Sequence, residues 1–497
     1  MKEVLINMKN INELLIQREM DFWNVPGLSL SIVKKGHKPY IKSFGWRDKE
    51  NKLEVTDTTL FGIASCSKSM TSAVIAMLVA EGKLDYDIPI INYIPDFAMM
   101  DEEATKRMTL RDMLCHRTGL GGHDAIWPVS KTLKEFSQVF SHLQPNAPFR
   151  SKPQYSNIIY AVIGYIAETV TGQSWTDLMK NYLFNPLNMT SANCQAKDMI
   201  NSDNFAHPYQ VLDGKLTKLP VWNVDVVAPA ASVNCTAIDM SKWLNFLINK
   251  GRTPNGTQLI PEDIFETMIT KQVDFEDCLG PDTGLYPTDG YAMGWKTGKY
   301  RGKSICRHTG KIEGYTSIQA FMPDDDIGIS LMMNLHSPTV AIMHTLLYTF
   351  IDSLLDLPPI DWTYKFRDDK KPTAEDYKDC QVDVFQSIYP DAIPNEMPSH
   401  QLMTSYKTHS YEGVYYNPGY GFLTIVPQGD KLYMKYRDMF LPIKPYWSGN
   451  FRVDNVKEDI LTMSIPLNFI CDEEQKSIGL KIRFEPLIDD IVFLKKN

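Results

Sequence analysis

Apolar and polar residues alternate from Gly27 onward: Leu28, Leu30 and Ile32 are interleaved with Ser29 and Ser31. A two-residue period places alternate side chains on opposite faces of a strand. Residues 27 to 47 therefore predict two strands joined by a turn at Lys35-Gly36-His37. Helical spacing then dominates, over 66–82, 131–140, 157–171, 174–182 and 237–250. Strand patterning returns after residue 285. Two runs, GYTSIQAFMP and IGISLMMN, flank Asp324-Asp325-Asp326 and predict a hairpin, followed by a helix in SPTVAIMHTLLYTFIDSLLD. The first residues, MKEVLINMKNINELLIQREMDFW, predict an opening helix with one apolar face. Strands at both ends of this region and helices between them predict an α+β fold, an antiparallel sheet flanked by helices with a helical subdomain.

The pattern changes after residue 358. Residues 359–405 are charged and proline-containing, with DDKKPTAEDYKD at their centre, and predict a linker containing a helix. From Tyr411 short alternating runs are separated by Asn417-Pro418-Gly419 and Gln428-Gly429-Asp430, predicting a barrel or sandwich of about eight strands. The expected division is 1–358, 359–405 and 406–497.

Composition narrows the function. The chain has 497 residues and a formal net charge of -9, which argues against a nucleic-acid partner, since phosphate binding needs clustered Lys and Arg. No apolar run has the length of a membrane span. Asn7, Lys9 and Asn10 interrupt the N-terminal apolar run and no small-residue cleavage site follows, so a cytoplasmic location is expected. The eight cysteines include no C-x-x-C pair, which predicts reduced thiols. Cys66 is expected to be a small core side chain. The chemistry requires no cofactor and no metal, and the oligomeric state is left open.

Ser65-Cys66-Ser67-Lys68 carries the strongest chemical signal. Residues three apart share a helix face, so a hydroxyl and an amine stand one turn apart at the start of a buried helix. A serine hydroxyl attacks poorly until a neighbouring base takes its proton. Downstream, Tyr155-Ser156-Asn157 precedes an apolar helix and His308-Thr309-Gly310 lies between two expected strands.

Ser-x-x-Lys, Tyr-x-Asn and His-x-Gly in this order resemble the serine β-lactamase and penicillin-binding-protein superfamily. The Tyr-x-Asn form is similar to the class C β-lactamase branch, which also holds D-peptidases and esterases. The resemblance covers about residues 15 to 355. It includes VPGLSLSIVKKG, DTTLFGIASCSKSMTSA, MTLRDMLCHRTGL and YAMGW. The C-terminal part resembles the lipocalin-like domain attached to some peptidase and esterase relatives.

The resemblance implies a β-lactamase/transpeptidase-like fold and acyl transfer through a covalent intermediate on Ser65. Lys68 and Tyr155 would share the proton transfers, a nearby cation favouring the tyrosinate. Asn157 would bond Lys68 or the substrate amide. The backbone N–H groups of Ser65 and Lys311 would form the oxyanion hole, with Lys311 at the sheet edge and Gly310 letting substrate approach the backbone. His308 stands where lactamases of this type place Lys. It is given a substrate-side role without fixed charge, which favours a small-molecule ester, amide or peptide substrate over a β-lactam. Trp222 and Trp295 are equally pocket or core residues, and His116, His123 and His207 read as structural. A true β-lactamase and a catalytically silent scaffold or filament-forming relative are the competing readings. A loop of residues 411–497 closing over the pocket competes with a stabilising appendage.

Overall fold

A computed structural model describes residues 4–5, 13–129, 132–212, 214–275, 288–336, 341–366, 408–437, 439–447, 450–453, 465–485 and 488–496. A short strand, Val4–Leu5, pairs parallel with His37–Lys38, and the expected opening helix is confined to α1 (Glu13–Trp23). Strands β1 (Gly27–Lys34), β2 (Tyr40–Asp48) and β3 (Leu53–Glu54) follow. Six more come from the far end of this region: β4 (Val273–Asp274), β5 (Gly290–Tyr291), β6 (Lys296–Tyr300), β7 (Lys303–Ile312), β8 (Tyr315–Met322) and β9 (Ile327–Met333). They form one antiparallel sheet in the order β4-β5-β6-β7-β8-β9-β1-β2-β3, so β1 joins the two chain segments by pairing with β9.

Both faces of the sheet are covered. Leu28, Leu30 and Ile32 pack with Ile16 and Met20 of α1 and with Leu346, Leu347 and Ile351 of a C-terminal helix, Ala341–Leu354. The intervening serines do not face water. Ser29 and Ser31 are fully buried, and Ser31 Oγ donates to the Ala237 carbonyl at 2.5 Å. That carbonyl begins the helix Ala237–Ile248, which packs on the opposite face. The polar half of the alternation thus marks a closely approached helix rather than a solvated surface. At Gly328 of β9 an added Cβ would lie 2.9 Å from Val33 and 3.0 Å from Leu244, which shows how close that helix comes.

Two helices of this second layer carry the site. α2 (Ser67–Ala80) is buried from Ser67 to Leu78, and a 3-10 turn, Ala64–Cys66, leads into it. A helix apolar on all sides belongs in a core. α3 (Asn157–Thr171) packs beside it and ends on Gly172 in the left-handed conformation, a common helix stop. Of the other expected helices, 131–140 is shortened to Leu133–Gln138, and 174–182 is Trp175–Leu178 running into the wider turns of Met179–Phe184. The expected linker helix corresponds only to Trp362–Phe366; residues 367–405 lie outside the described residues.

Eight antiparallel strands between Gly413 and Lys495 close into a barrel. Its core is aromatic and aliphatic, with Tyr415, Tyr420, Tyr436 and Phe493 almost wholly buried. No helix among the described residues is long and apolar enough to cross a membrane.

β7 presses against the chain just before Ser65. A Cβ on Gly310 would lie 2.1 Å from the Ile63 carbonyl oxygen and 2.4 Å from Ser317 Oγ. At this glycine only hydrogen fits between strand and turn. Gly310→Ala should therefore lower stability by about 1–3 kcal/mol, readable as a fall in thermal unfolding midpoint against wild type. An unchanged midpoint would mean that the turn yields freely.

Candidate active site

Ser65 sits in the middle of the 3-10 turn, and Ala64 before it has a positive φ of 46°. For a non-glycine residue this is a strained conformation, costing on the order of 1–3 kcal/mol. Surrounding bonds hold it. Cys66 N–H donates to the Ile63 carbonyl at 3.1 Å, and Ser317 Oγ of β8 donates to the same carbonyl at 2.8 Å. Ile63 N–H donates to the Val233 carbonyl at 3.0 Å.

The three separate motifs meet here. Lys68 Nζ donates to Ser65 Oγ at 3.1 Å, to Asn157 Oδ1 at 2.6 Å and to the Ala230 carbonyl at 3.2 Å. The amine lies 4.7 Å from the centre of the Tyr155 ring and 5.4 Å from that of Tyr160. Tyr155 bonds the Ser65 hydroxyl through its own. Asn157 is the first residue of α3, so the start of one helix meets the start of the other.

Lys68 is fully buried. Burial disfavours the ammonium and pushes its pKa down to about 7, opposed chiefly by the carboxylate of Asp124. Tyr155 moves the other way. Burial raises its phenol well above the ordinary range, and the bond to Ser65 only partly offsets this. The expected tyrosinate is therefore not favoured: desolvation of the anion outweighs the nearby amine, and Tyr155 is a neutral hydroxyl at ordinary pH.

His308 is buried at 1% exposure. Its Nδ1–H donates to the Thr309 carbonyl at 2.7 Å, so Nε2 accepts from the Tyr291 hydroxyl at 2.9 Å. Burial, then the nearby amine of Lys68, push its pKa well below the usual value, so it is neutral. With both nitrogens engaged, it braces β7 and Tyr291. Lys311 is exposed beside the buried Gly310. β7 lies inside the sheet, but its pairing with β6 ends at Lys296–Arg307. Residues 308–312 have no β6 partner on that side.

Other expected positions sort clearly. Trp295 is fully buried and packs edge-on to Phe321, whereas Trp222 stacks on Trp127 at 5.4 Å and lines a small cleft with Gly62, Ala231 and Ile312. His116 is buried, receives the Ser156 N–H and lies 4.5 Å from the Tyr155 ring. His207 Nε2 lies 3.3 Å from the Asp48 carboxylate, and Asp112 is held by Arg117 and Arg150. The Cys66 thiol donates to the His308 carbonyl, and burial pushes its pKa up to about 12, so it is an inert core thiol. Among the described residues no group of three or more His, Cys, Asp or Glu is arranged to hold a metal ion.

Two positions were not singled out from the sequence. Gly294, within YAMGW, has φ +77°, and a Cβ there would lie 2.7 Å from the Lys68 carbonyl, so it packs directly on α2. Asp124 Oδ1 accepts from Asn157 Nδ2 at 3.3 Å, one step from the Lys68 amine. In the run GGHDAIW the only local signal is a glycine-rich loop, which says nothing about what the loop meets.

The family described as Beta-lactamase matches residues 14–348. A hydrolase of Aspergillus campestris, Unguisins hydrolase ungD', is 26% identical over 97% of this chain and 91% of its own length. The structure of the octameric penicillin-binding protein homologue from Pyrococcus abyssi shares the fold, with a TM-score of 0.57 and 20% identity over 97% of this chain and 98% of that one. The D-amino acid amidase from Ochrobactrum anthropi SV3 shares it over 69% of this chain and 97% of its own, with a TM-score of 0.56 and 24% identity. With a family match spanning well over half of its length and the fold shared by both solved structures, the chain belongs to the beta-lactamase family of the serine β-lactamase and penicillin-binding-protein superfamily.

Proposed function

We propose that the chain is a serine hydrolase that cleaves a small ester, amide or peptide through an acyl-enzyme on Ser65. The observation that carries this reading is the 3.1 Å contact from the buried Lys68 amine to the Ser65 hydroxyl. A lysine whose pKa lies near 7 is half neutral at physiological pH, and a base is most effective when its pKa is near the working pH. The neutral amine takes the proton as Ser65 Oγ attacks the substrate carbonyl. The backbone N–H groups of Ser65 and Lys311 stabilise the resulting oxyanion. Tyr155, a neutral phenol bonded to Ser65, passes a proton toward the leaving group and is reprotonated from the Lys68 ammonium. Water then hydrolyses the ester on Ser65 with Lys68 again as base.

The amide reading is supported by the hydrolase and the amidase among its relatives, whose printed names concern unguisins and D-amino acid amides. Against a β-lactam stands the neutral, buried His308: it supplies no fixed cation for a substrate carboxylate. The small cleft beside Trp222 and Ile312 suits an apolar group of the substrate.

Three outcomes are expected. A fluorophosphonate probe should label Ser65 in wild type and not in Ser65→Ala, read by intact mass; a wild type that stays unlabelled from pH 6 to 10 would overturn the hydrolase reading. The pH profile of kcat/KM should show an acid limb near pH 7, activity falling as Lys68 protonates, while Lys68→Ala loses about 10²-fold or more above that limb and shows no such limb. A nitrophenyl ester or a D-aminoacyl amide should turn over faster than a chromogenic cephalosporin, and the reverse order would favour the β-lactamase.

A further inference from the structure

The barrel touches the rest of the chain at a telling place. Glu485 lies in the segment between the last two barrel strands. Its Oε2 accepts from the His123 N–H at 2.9 Å, and its Oε1 accepts from Asn146 Nδ2 at 3.1 Å. Asn146 Oδ1 in turn accepts from the Gly121 N–H at 2.6 Å. The His123 ring donates through Nε2 to the Gln144 carbonyl at 3.1 Å, so its Nδ1 accepts from the Tyr420 hydroxyl at 2.6 Å. Tyr436 donates to the Ala125 carbonyl at 3.1 Å. The barrel thus grips both neighbours of Asp124, His123 and Ala125.

The grip is tight and unusual in its backbone. His123 has a positive φ of 48° and is 1% exposed, a strained position that persists only when its surroundings over-determine it. A Cβ on Gly122 would lie 3.3 Å from Glu485 Oε2 and 3.6 Å from Asp124 Oδ2, so the two carboxylates close on one bare stretch of backbone. The rings of Tyr420 and Tyr436 stack on Phe484, at 5.7 and 5.1 Å, which fixes the barrel side of the contact. From Asp124 the path to the chemistry is two bonds long: Asp124 to Asn157 at 3.3 Å and Asn157 to Lys68 at 2.6 Å.

We propose that Asp124 is a positioning residue for the Lys68 amine, and that the barrel belongs to the active site by holding Asp124 in place through Glu485, Tyr420 and Tyr436. The proposal rests on the reading of Lys68 as the base for Ser65. It replaces both earlier options for the barrel, a loop that closes over substrate and a stabilising appendage, with a support for the proton-transfer machinery.

The groups facing Lys68 set the sign of the effect. Ser65 and the neutral Cys66 thiol stand on its own segment; Tyr155 and Tyr160 are neutral phenols; His116 and His308 are neutral imidazoles, with Lys296 beyond them. Asp124 is the carboxylate that favours the protonated amine. Burial raises the carboxyl pKa of Asp124, while Asn157 and Lys68 pull it back, and Glu485 is raised by its own burial and by Asp124. Removing the charge at 124 therefore makes Lys68 easier to deprotonate.

The test is a double-mutant cycle read by the acid limb of kcat/KM and by the pH dependence of fluorophosphonate labelling. Asp124→Asn keeps the oxygen that meets Asn157 and should move the acid limb to lower pH by about one unit. The barrel variant Glu485→Gln with Tyr420→Phe, far from the reacting atoms, should move it in the same direction. Adding Asp124→Asn to that background should then produce less than half of its shift in wild type, because the two changes break one connection. Asp124→Glu should restore part of the wild-type profile. A purely structural role would lower rates at every pH with the acid limb unmoved, and fully additive shifts would show that the barrel does not act through Asp124; either result overturns the proposal. If Asp124→Asn does not fold, an unmoved acid limb in the barrel variant alone overturns it. Labelling of wild-type Ser65 keeps the two readings apart: without it the hydrolase reading itself fails, whereas labelling with an unmoved acid limb sinks only the role of Asp124.

Discussion

The site depends on taking one amine out of water. An exposed lysine holds its proton up to about pH 10.4 and cannot serve as a base at neutral pH. Lys68 is wholly enclosed by α2, α3 and the Ala228–Ala231 segment, and the loss of hydration moves its proton affinity into the working range. Every other feature of the centre tempers that desolvation. In its ammonium form Asn157, Ala230 and Ser65 accept its three hydrogens, and the faces of Tyr155 and Tyr160 stabilise the positive charge. An amine buried without these partners would leave its polar hydrogens unsatisfied, at a cost of about 1–3 kcal/mol or more.

The fold supplies the enclosure. The sheet presents small residues, Ser31 and Gly328, to the helix Ala237–Ile248, while Gly310 lets β7 close on the turn that carries Ser65. On the far side of the site Gly294 lets the chain press on the Lys68 backbone. Small side chains at these contacts permit a dense interior, and a dense interior keeps water from the amine. Packing and proton affinity are one property here, so a change that loosens the core also retunes the base.

Much of this was legible in the sequence because it is local. The three-residue spacing of Ser65 and Lys68 put both on one turn, and the apolar run after them announced a buried helix. The strand alternation at Leu28–Ile32 and the hairpin around Asp324–Asp326 gave the sheet, and the periodic runs after Tyr411 gave a barrel or sandwich of about eight strands, which closes as a barrel. What was not legible depends on distant contacts. The alternating serines are the same letters whether they face water or a helix. The reason for Gly310 is a carbonyl 247 residues earlier in the chain, at Ile63. Asp124 sits in a loop without periodicity, and its importance comes from Asn157, 33 residues on, and from Glu485 in another fold unit. The motif position of His308 was visible in the sequence, but its two hydrogen-bond partners, Thr309 and Tyr291, were not.

The central claim is the depressed proton affinity of Lys68, and it can be observed without substrate. Side-chain NMR of 13C-labelled lysine, with the Lys68 signal assigned by its absence in Lys68→Arg, reports the titration of this amine directly. The account predicts a midpoint near pH 7. A Lys68 signal that titrates at about 10 or above, like an exposed lysine, would contradict it.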